Sequence, residues 1–189
     1  MKKIMILLVM AVMSTGVFAQ TQWKVDPNHS SLNFNISHMG ISFVNGKFME
    51  YTGTLTTEGE TLDQAKFDFT VKATSINTNI EDRDNHLRSA DFFEVEKYPN
   101  MTFKTTKILA TGKPDQYLLY GKLTLKDVRK DVIFDVHFGG IAKNDKGDKL
   151  GLKATTTINR LDYNVNYDPT GAALGKDVEI ILNLQFAKQ

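Results

Sequence analysis

The stretch from Ile80 to Pro99, IEDRDNHLRSADFFEVEKYP, contains most of the residues whose types and spacing could do chemistry. Within six positions stand two arginines, an aspartate and a histidine: Arg83, Asp84, His86 and Arg88. The imidazole and the carboxylate could serve as acid and base, but the sequence shows no nucleophile or electrophile stabiliser beside them. A guanidinium, with several directed donors, is better suited to fixing a polar head group. Phe92 and Phe93 follow, so the stretch is either a lid over a site or a solvated connector with an aromatic anchor.

Other motifs argue against metal and nucleotide chemistry. The four histidines, at positions 29, 38, 86 and 137, do not have the spacing of metal ligands, and the chain has no cysteine. The sequence contains neither a Gly-x-Ser-x-Gly elbow nor a glycine-rich phosphate loop. It therefore predicts no metal site and nominates no catalytic residue.

The first 19 residues have the pattern of a secretory signal peptide. Lys2 and Lys3 precede an unbroken apolar run, and Val17 and Ala19 place small residues at the −3 and −1 positions of a cleavage site. The alternative is a membrane anchor, but the apolar core is shorter than the roughly 20 residues that a spanning helix needs. We expect cleavage after Ala19, export to the periplasm, and no membrane-spanning segment in the remaining chain.

Residues 20–189 are expected to form one domain. Removing 19 of the 189 residues leaves 170, enough for a sizeable core, and removes two lysines and no acid, so the formal charge falls from +1 to −1. A near-neutral chain without a basic stripe is not typical of nucleic-acid binding. Without cysteines, an exported domain of this size must be stabilised by core burial alone.

Alternating apolar and polar residues predict a domain made almost entirely of strands. The clearest examples are residues 31–38 and 65–73, and eight or nine such segments are joined by short turns. One helix is expected near Asn79–Ala90, with Thr78 and Glu81 as a capping box. The residues from 126 to 130 are expected to form a tight turn, and residues 41–45 a connector. This pattern favours an antiparallel sandwich or closed barrel.

The inward faces of these strands are unusually aromatic. The apolar side chains expected to share one side are Leu32, Phe34, Ile36, Phe67, Phe69, Phe103, Phe134 and Phe138. Two interpretations are open from the residues alone. Either these side chains form a close-packed core, or they line an apolar tunnel that the helix closes.

Several longer motifs resemble those of the YceI-like family, the polyisoprenoid-binding proteins of lipocalin-like fold. At the start these are Trp23-x-x-Asp-Pro-x-His-Ser and Phe34-x-x-x-His-x-Gly-x-Ser. In the middle of the chain, the run Arg83-Asp-x-His-Leu-Arg-Ser-x-Asp-Phe-Phe resembles the family's central signature. Further on, Arg160-x-Asp-Tyr resembles one of its later blocks. The resemblance covers nearly all of residues 20–189. The turn at 126–130 and the segment 160–168 depart from the family pattern.

This resemblance implies an all-β fold: an antiparallel eight-stranded lipocalin-like β-barrel with one short inserted helix. It also implies a periplasmic binding or carrier protein, not an enzyme, that holds an isoprenoid quinone or polyprenyl phosphate non-covalently. The candidate ligand-binding residues are Phe34, Ile36, His38, Phe67, Phe69, Arg83, Asp84, His86, Leu87, Phe92, Phe93, Phe103 and Phe134.

Alternatives to this interpretation stay open. One is an enzyme acting on a lipidic or quinone-like substrate through Arg83, Asp84 and His86. Another is a partner-binding module with Phe92 and Phe93 as an exposed docking patch. The sequence also leaves open whether a phosphate head would bind Arg83 together with Arg88, and whether the barrel forms a homodimer.

Overall fold

The computed structural model describes residues 20–189; the predicted signal peptide lies outside this range. Within this range there is a single α-helix, α1, which spans Glu81–Arg88. Among the described residues no helix is long and apolar enough to cross a membrane. The strands are β1 (Thr21–Val25), β2 (Ser31–His38), β3 (Ser42–Phe48), β4 (Tyr51–Thr57), β5 (Lys66–Lys72), β6 (Ile76–Asn77), β7 (Asn100–Ala110), β8 (Gln116–Leu125), β9 (Val128–Ala142), β10 (Lys149–Asn159) and β11 (Leu174–Lys188).

These eleven segments form one closed antiparallel barrel of eight strands, as predicted. Three of the eight barrel strands are bent, and each bend divides its strand into two segments: β1 and β2, β3 and β4, and β5 and β6. The halves pair consistently, because β1 lies beside β4 while β2 lies beside β3. The last strand, β11, pairs with β10 on one side and with β2 and β1 on the other, which closes the ring.

The three bends lie next to one another and are held by side chains that replace missing ladder bonds. At one bend the Ser75 hydroxyl accepts hydrogen bonds from the backbone N–H groups of Met49, at 3.2 Å, and Glu50, at 3.0 Å. At the neighbouring bend the Tyr51 hydroxyl donates to the Ser30 carbonyl at 2.9 Å. The backbone groups freed by bending are thereby satisfied across adjacent strands.

The structure corrects the predicted start of the helix. It begins at Glu81, with Ile80 as a cap residue that makes no side-chain hydrogen bond. Asn79 has a φ of 63°, which interrupts the helical backbone, so Thr78 lies too far upstream to be the cap. Thr78 instead donates its N–H, at 2.8 Å, and its hydroxyl, at 2.6 Å, to the Asp84 carboxylate.

Two other predicted boundaries were wrong. Residues 41–45 are not a connector, because β3 begins at Ser42. Asn45 and Gly46 have low strand propensity, and they hid this strand in the sequence. The turn expected over 126–130 is shorter, since Lys126 takes a φ of 53° and β9 begins at Val128.

One end of the barrel is closely packed, and we call it the floor. Its fully or almost fully buried side chains are Trp23, Leu55, Leu62, Leu150 and Phe186. The indole N–H of Trp23 donates to the Thr57 hydroxyl at 3.0 Å, so its polar group is satisfied. The rings of Phe67 and Phe69 lie edge-on to Phe186, at 6.2 and 6.0 Å between centroids. The floor therefore closes the interior immediately below the central phenylalanines.

Three inward phenylalanines lie over glycines of the neighbouring strand. A Cβ on Gly46 would lie 2.2 Å from the ring of Phe34, and one on Gly53 would lie 2.4 Å from the ring of Phe69. A Cβ on Gly121 would likewise lie 2.2 Å from the ring of Phe103. Any larger residue would push the ring out of its position. The missing side chains let these rings lie flat against the barrel wall.

This contact predicts that Gly53→Ala lowers the free energy of unfolding by about 1–3 kcal/mol, because the added methyl overpacks the site of Phe69. Urea unfolding measures the change. Gly151→Ala is the matched control, since a Cβ there meets nothing within 4 Å. Equal stability of the two variants would contradict this account of the wall.

Candidate functional site

A cavity of about 650 Å³ occupies the barrel above the floor. Strand alternation makes its wall apolar, because every second residue of β2, β5, β7, β8 and β11 points inward. Its size lies within the range typical of small-molecule sites. The deep wall includes Phe67, Leu119, Phe134, Leu152 and Leu184.

The structure brings twelve of the thirteen candidate ligand-binding residues to this cavity. They are Phe34, Ile36, His38, Phe67, Phe69, Arg83, His86, Leu87, Phe92, Phe93, Phe103 and Phe134. Phe138, which the sequence placed on the same side, is buried in the packed core away from the cavity. The tunnel and packed-core interpretations thus each describe one part of the barrel. Ligand contact by the twelve stays a prediction.

Asp84 is the exception. Its side chain is buried, and one carboxylate oxygen accepts both hydrogen bonds from Thr78. It lies apart from the cavity wall, because it ties the first turn of α1 to the chain that precedes the helix. The alternative acid–base pair of Asp84 and His86 is therefore wrong in its carboxylate: the partner of His86 is Asp91, at 3.0 Å from Nε2.

The other end of the barrel is covered by a cap, which we define as α1 with residues 89–99 and 160–173. An aromatic cluster joins its parts: the rings of Phe92 and Tyr167 are 4.7 Å apart, and His86 lies 5.0 Å from Phe92 and 5.1 Å from Tyr167. Phe93 meets Phe48 of the barrel edge-on at 5.8 Å. Phe92 is only 5% exposed, which contradicts the docking-patch hypothesis for this residue.

Arg160 holds the backbone of the cap in place through hydrogen bonds from its buried side chain. Its guanidinium is buried, and all five N–H donors bind backbone carbonyls at 2.5–2.9 Å. The acceptors are the carbonyl oxygens of Val165, Tyr167, Asp168, Leu174 and Gly175. Burial lowers the pKa of Arg160, an effect that the charge of Asp168 opposes. In the sequence only the family resemblance drew attention to this residue.

The Asp168 carboxylate stabilises the same loop from its solvent-facing side. Its carboxylate accepts a hydrogen bond from the Thr170 hydroxyl, at 2.5 Å, and others from the backbone N–H groups of Ala173 and Leu174, at 2.7 and 2.9 Å. These bonds, chiefly the one from Thr170, lower the pKa of Asp168 to about 2. The loop that carries Tyr167 is therefore held by charged groups on both sides.

The cavity opens at the cap end, where the β2–β3 turn, α1 and the loop of residues 164–173 meet. The wall residues that are exposed to solvent all lie there, and we call them the mouth: His38, Ser42, Phe43, His86, Tyr167 and Ala173. Phe43 is 65% exposed and Tyr167 is 45% exposed. The site is thus apolar at its depth and mixed in polarity where it meets water.

The side chains of residues 20–189 around the cavity are better suited to binding a molecule than to catalysing a reaction. Within residues 20–189 no group of three or more His, Asp or Glu side chains could hold a metal ion. The imidazole of His86 is paired with Asp91 and flanked by aromatic rings, and no serine or threonine hydroxyl of residues 20–189 is bonded to that ring. The arrangement can enclose an apolar molecule and present polar groups to one end of it.

Comparison with known proteins gives consistent matches. The family model of the YceI-like domain matches residues 23–186. A UPF0312 protein of Staphylococcus aureus strain N315 is 34% identical over 173 residues, which cover 88% of this chain and 98% of the relative.

Solved structures extend these matches to the fold. The YceI protein of Campylobacter jejuni is 30% identical, with a TM-score of 0.70 over 81% of this chain and 89% of that one. A polyisoprenoid binding domain from Saccharophagus degradans, implicated in plant cell wall breakdown, has a TM-score of 0.70 at 17% identity. It covers 88% of this chain and 98% of its own, and at that identity it shows the fold alone.

The role of Arg160 is open to a direct test. Arg160→Met keeps the length of the side chain but leaves five carbonyls without their donor, so we expect unfolding free energy to fall by about 3 kcal/mol or more. Hydrogen exchange should also accelerate in residues 164–175. Arg129→Met, at an exposed position on β9, is the matched control. Equal stability and exchange in both variants would show that the buried guanidinium does not hold the cap.

Proposed function

Since this chain belongs to the YceI-like family, we propose that it is a binding protein that holds a long apolar lipid of the isoprenoid type, a quinone or a polyprenyl phosphate, inside the barrel. It acts as a carrier or store and not as a catalyst. The observation that carries the proposal is the cavity of about 650 Å³, whose deep wall is formed by apolar side chains above a closed floor.

The physical reason for such a site is the cost of exposing an isoprenoid tail to water. Burial of each CH₂ group contributes about 0.8 kcal/mol, and ordering the flexible tail offsets part of that gain. Phenylalanine rings such as Phe103 and Phe134, whose centroids are 5.4 Å apart, give the wall a large apolar area. The polyisoprenoid-binding description of the structural neighbour from Saccharophagus degradans supports the same ligand class.

A tryptophan that narrows the cavity should displace the lipid. Leu182 of β11 points into the cavity and the next residue, Asn183, points outward, so the two positions form a matched pair. We expect Leu182→Trp to reduce retention of a long-chain isoprenoid quinone about tenfold or more, because the new ring fills the path of the tail. Asn183→Trp should leave retention unchanged.

Native mass spectrometry before and after solvent extraction measures this retention, with added quinone as the probe. Circular dichroism confirms that each variant is folded. Absence of an extractable apolar molecule from the unmodified protein, together with failure to take up the probe, would overturn the proposal. Equal retention by the two tryptophan variants would place the lipid outside the barrel.

We also propose that the protein is exported to the periplasm after removal of residues 1–19. The basic start, the apolar run and the small residues before Gln20 support this location. Fractionation of cells that express the full chain should yield a periplasmic species beginning at Gln20, as measured by intact mass. A membrane-bound species that keeps Met1 would contradict export with cleavage and favour an anchor.

A further inference from the structure

Two arginines line the cavity, and they differ in how their donors are used. Arg160 donates all five N–H groups to backbone carbonyls of the cap and of the start of β11, so it has no donor left for a ligand. Arg83 forms only two hydrogen bonds, both to Thr78: Nε to the hydroxyl oxygen at 2.7 Å and Nη2 to the carbonyl at 2.9 Å. Both N–H groups of Nη1 and one of Nη2 have no partner among the described residues.

The charge of Arg83 also lacks a direct counterion. It forms no ion pair with any carboxylate in residues 20–189, whereas Lys97 of the cap and Lys126 of the β8–β9 turn both pair with Glu94. Asp84, the nearest candidate along the helix, is bonded to Thr78, which separates it from the guanidinium. A half-buried cation beside an apolar cavity is costly to desolvate without an anionic partner.

Arg88, the other arginine of α1, differs from Arg83 chiefly in its place outside the cavity. Its Nε, Nη1 and Nη2 atoms bind the Thr74 carbonyl, the Asn85 side chain and the Ile76 carbonyl at 2.8–2.9 Å. It is not part of the cavity wall. Its role is to tie α1 to the strand segment β6, and the idea that both arginines receive a phosphate head is not supported by their positions.

From these contacts we propose that the cavity selects a ligand with an anionic head group, a phosphate or a carboxylate, on its apolar tail, and that Arg83 binds this head. The inference rests on the proposed lipid-binding function and narrows it, because an uncharged quinone gains less from the free guanidinium edge. A guanidinium binds either anion through paired N–H donors, and such charge-assisted bonds are stronger than neutral ones.

The layout of the cavity fits this orientation. The deep wall is apolar, whereas Arg83 lies on α1 near the mouth, with His86 one turn further along the same helix. The Arg83 guanidinium is held in place by Thr78, which is itself fixed by Asp84. A ligand can therefore extend its tail toward the floor while its head stays at the cap end, within reach of water. Asp84 serves here as a positioning residue and not as a ligand contact.

The test compares acidic and neutral probes that share a tail. A polyprenyl phosphate is paired with the polyprenol of equal tail length, and a long-chain fatty acid is paired with its alcohol. Competition against a bound fluorescent lipid gives the affinity ratio within each pair. Because each ratio is measured in one variant, a general loss of stability cancels out. Arg83→Gln removes the charge, Arg83→Lys keeps it without the paired donors, and Arg88→Gln is the matched control.

We expect the unmodified protein to prefer at least one acid over its alcohol by about tenfold or more, and Arg83→Gln to abolish that preference. Arg83→Lys should keep part of it and Arg88→Gln all of it. The pair that shows the preference identifies the head as phosphate or carboxylate. Equal binding of acids and alcohols, or a preference that survives Arg83→Gln, would overturn the inference while leaving lipid binding intact. Failure of all four probes to bind would also overturn the inference if the isoprenoid quinone is still taken up, and would refute the proposed function if the quinone is not taken up either.

Discussion

The closure of the barrel through β11 is the constraint on which the rest of this structure depends. This strand pairs with β10 along its length and with β2 and β1 on its other edge, which closes the ring. Closure pairs most of the strand backbone with neighbouring strands, and at the free edge of β6 the Arg88 side chain binds the Ile76 carbonyl. A cavity of this kind costs packing energy, because the side chains around it lose contacts. The packed floor and the flat stacking of phenylalanines on glycines supply the compensating contacts.

The cap presents the opposite problem, since its irregular backbone has no sheet to pair with. Two buried charged side chains provide hydrogen bonds to this irregular backbone instead. Arg160 binds three carbonyls of the loop that bears Tyr167 and the first two carbonyls of β11. Asp84 accepts hydrogen bonds from the N–H and hydroxyl of Thr78 before α1. Both side chains are buried, and both form their hydrogen bonds with neighbouring segments of the protein. Charged residues in a family signature can therefore be conspicuous in a sequence because their hydrogen bonds hold the closure of a site together.

Because most of these charged side chains are bonded within the protein, few polar groups are left to bind a ligand. Of the charged residues singled out in the central signature, Asp84 and Arg88 are engaged in structural contacts, and His86 is paired with Asp91. Arg83 alone combines a place on the cavity wall with unused donors. An apolar interior confers affinity with little discrimination between tails, so a single directed guanidinium near the mouth would contribute a large share of the specificity.

The alternation of residues by itself determined that the domain is all-β and most inward-facing positions, since period two reports the two faces of a strand regardless of what lies opposite. It left a sandwich and a closed barrel open, and the family resemblance favoured the barrel. It placed Phe34, Phe67, Phe103 and Phe134 on one side, and the structure agrees. Alternation missed β3, where Gly46 is needed beneath Phe34 and lowers the local strand signal. Only the tertiary structure decided that Phe138 packs while Phe134 lines a cavity, that Asp84 turns away from the site, and that Arg160 holds the cap. Those outcomes depend on contacts between residues far apart in the chain, and no local pattern encodes which donor will meet which acceptor.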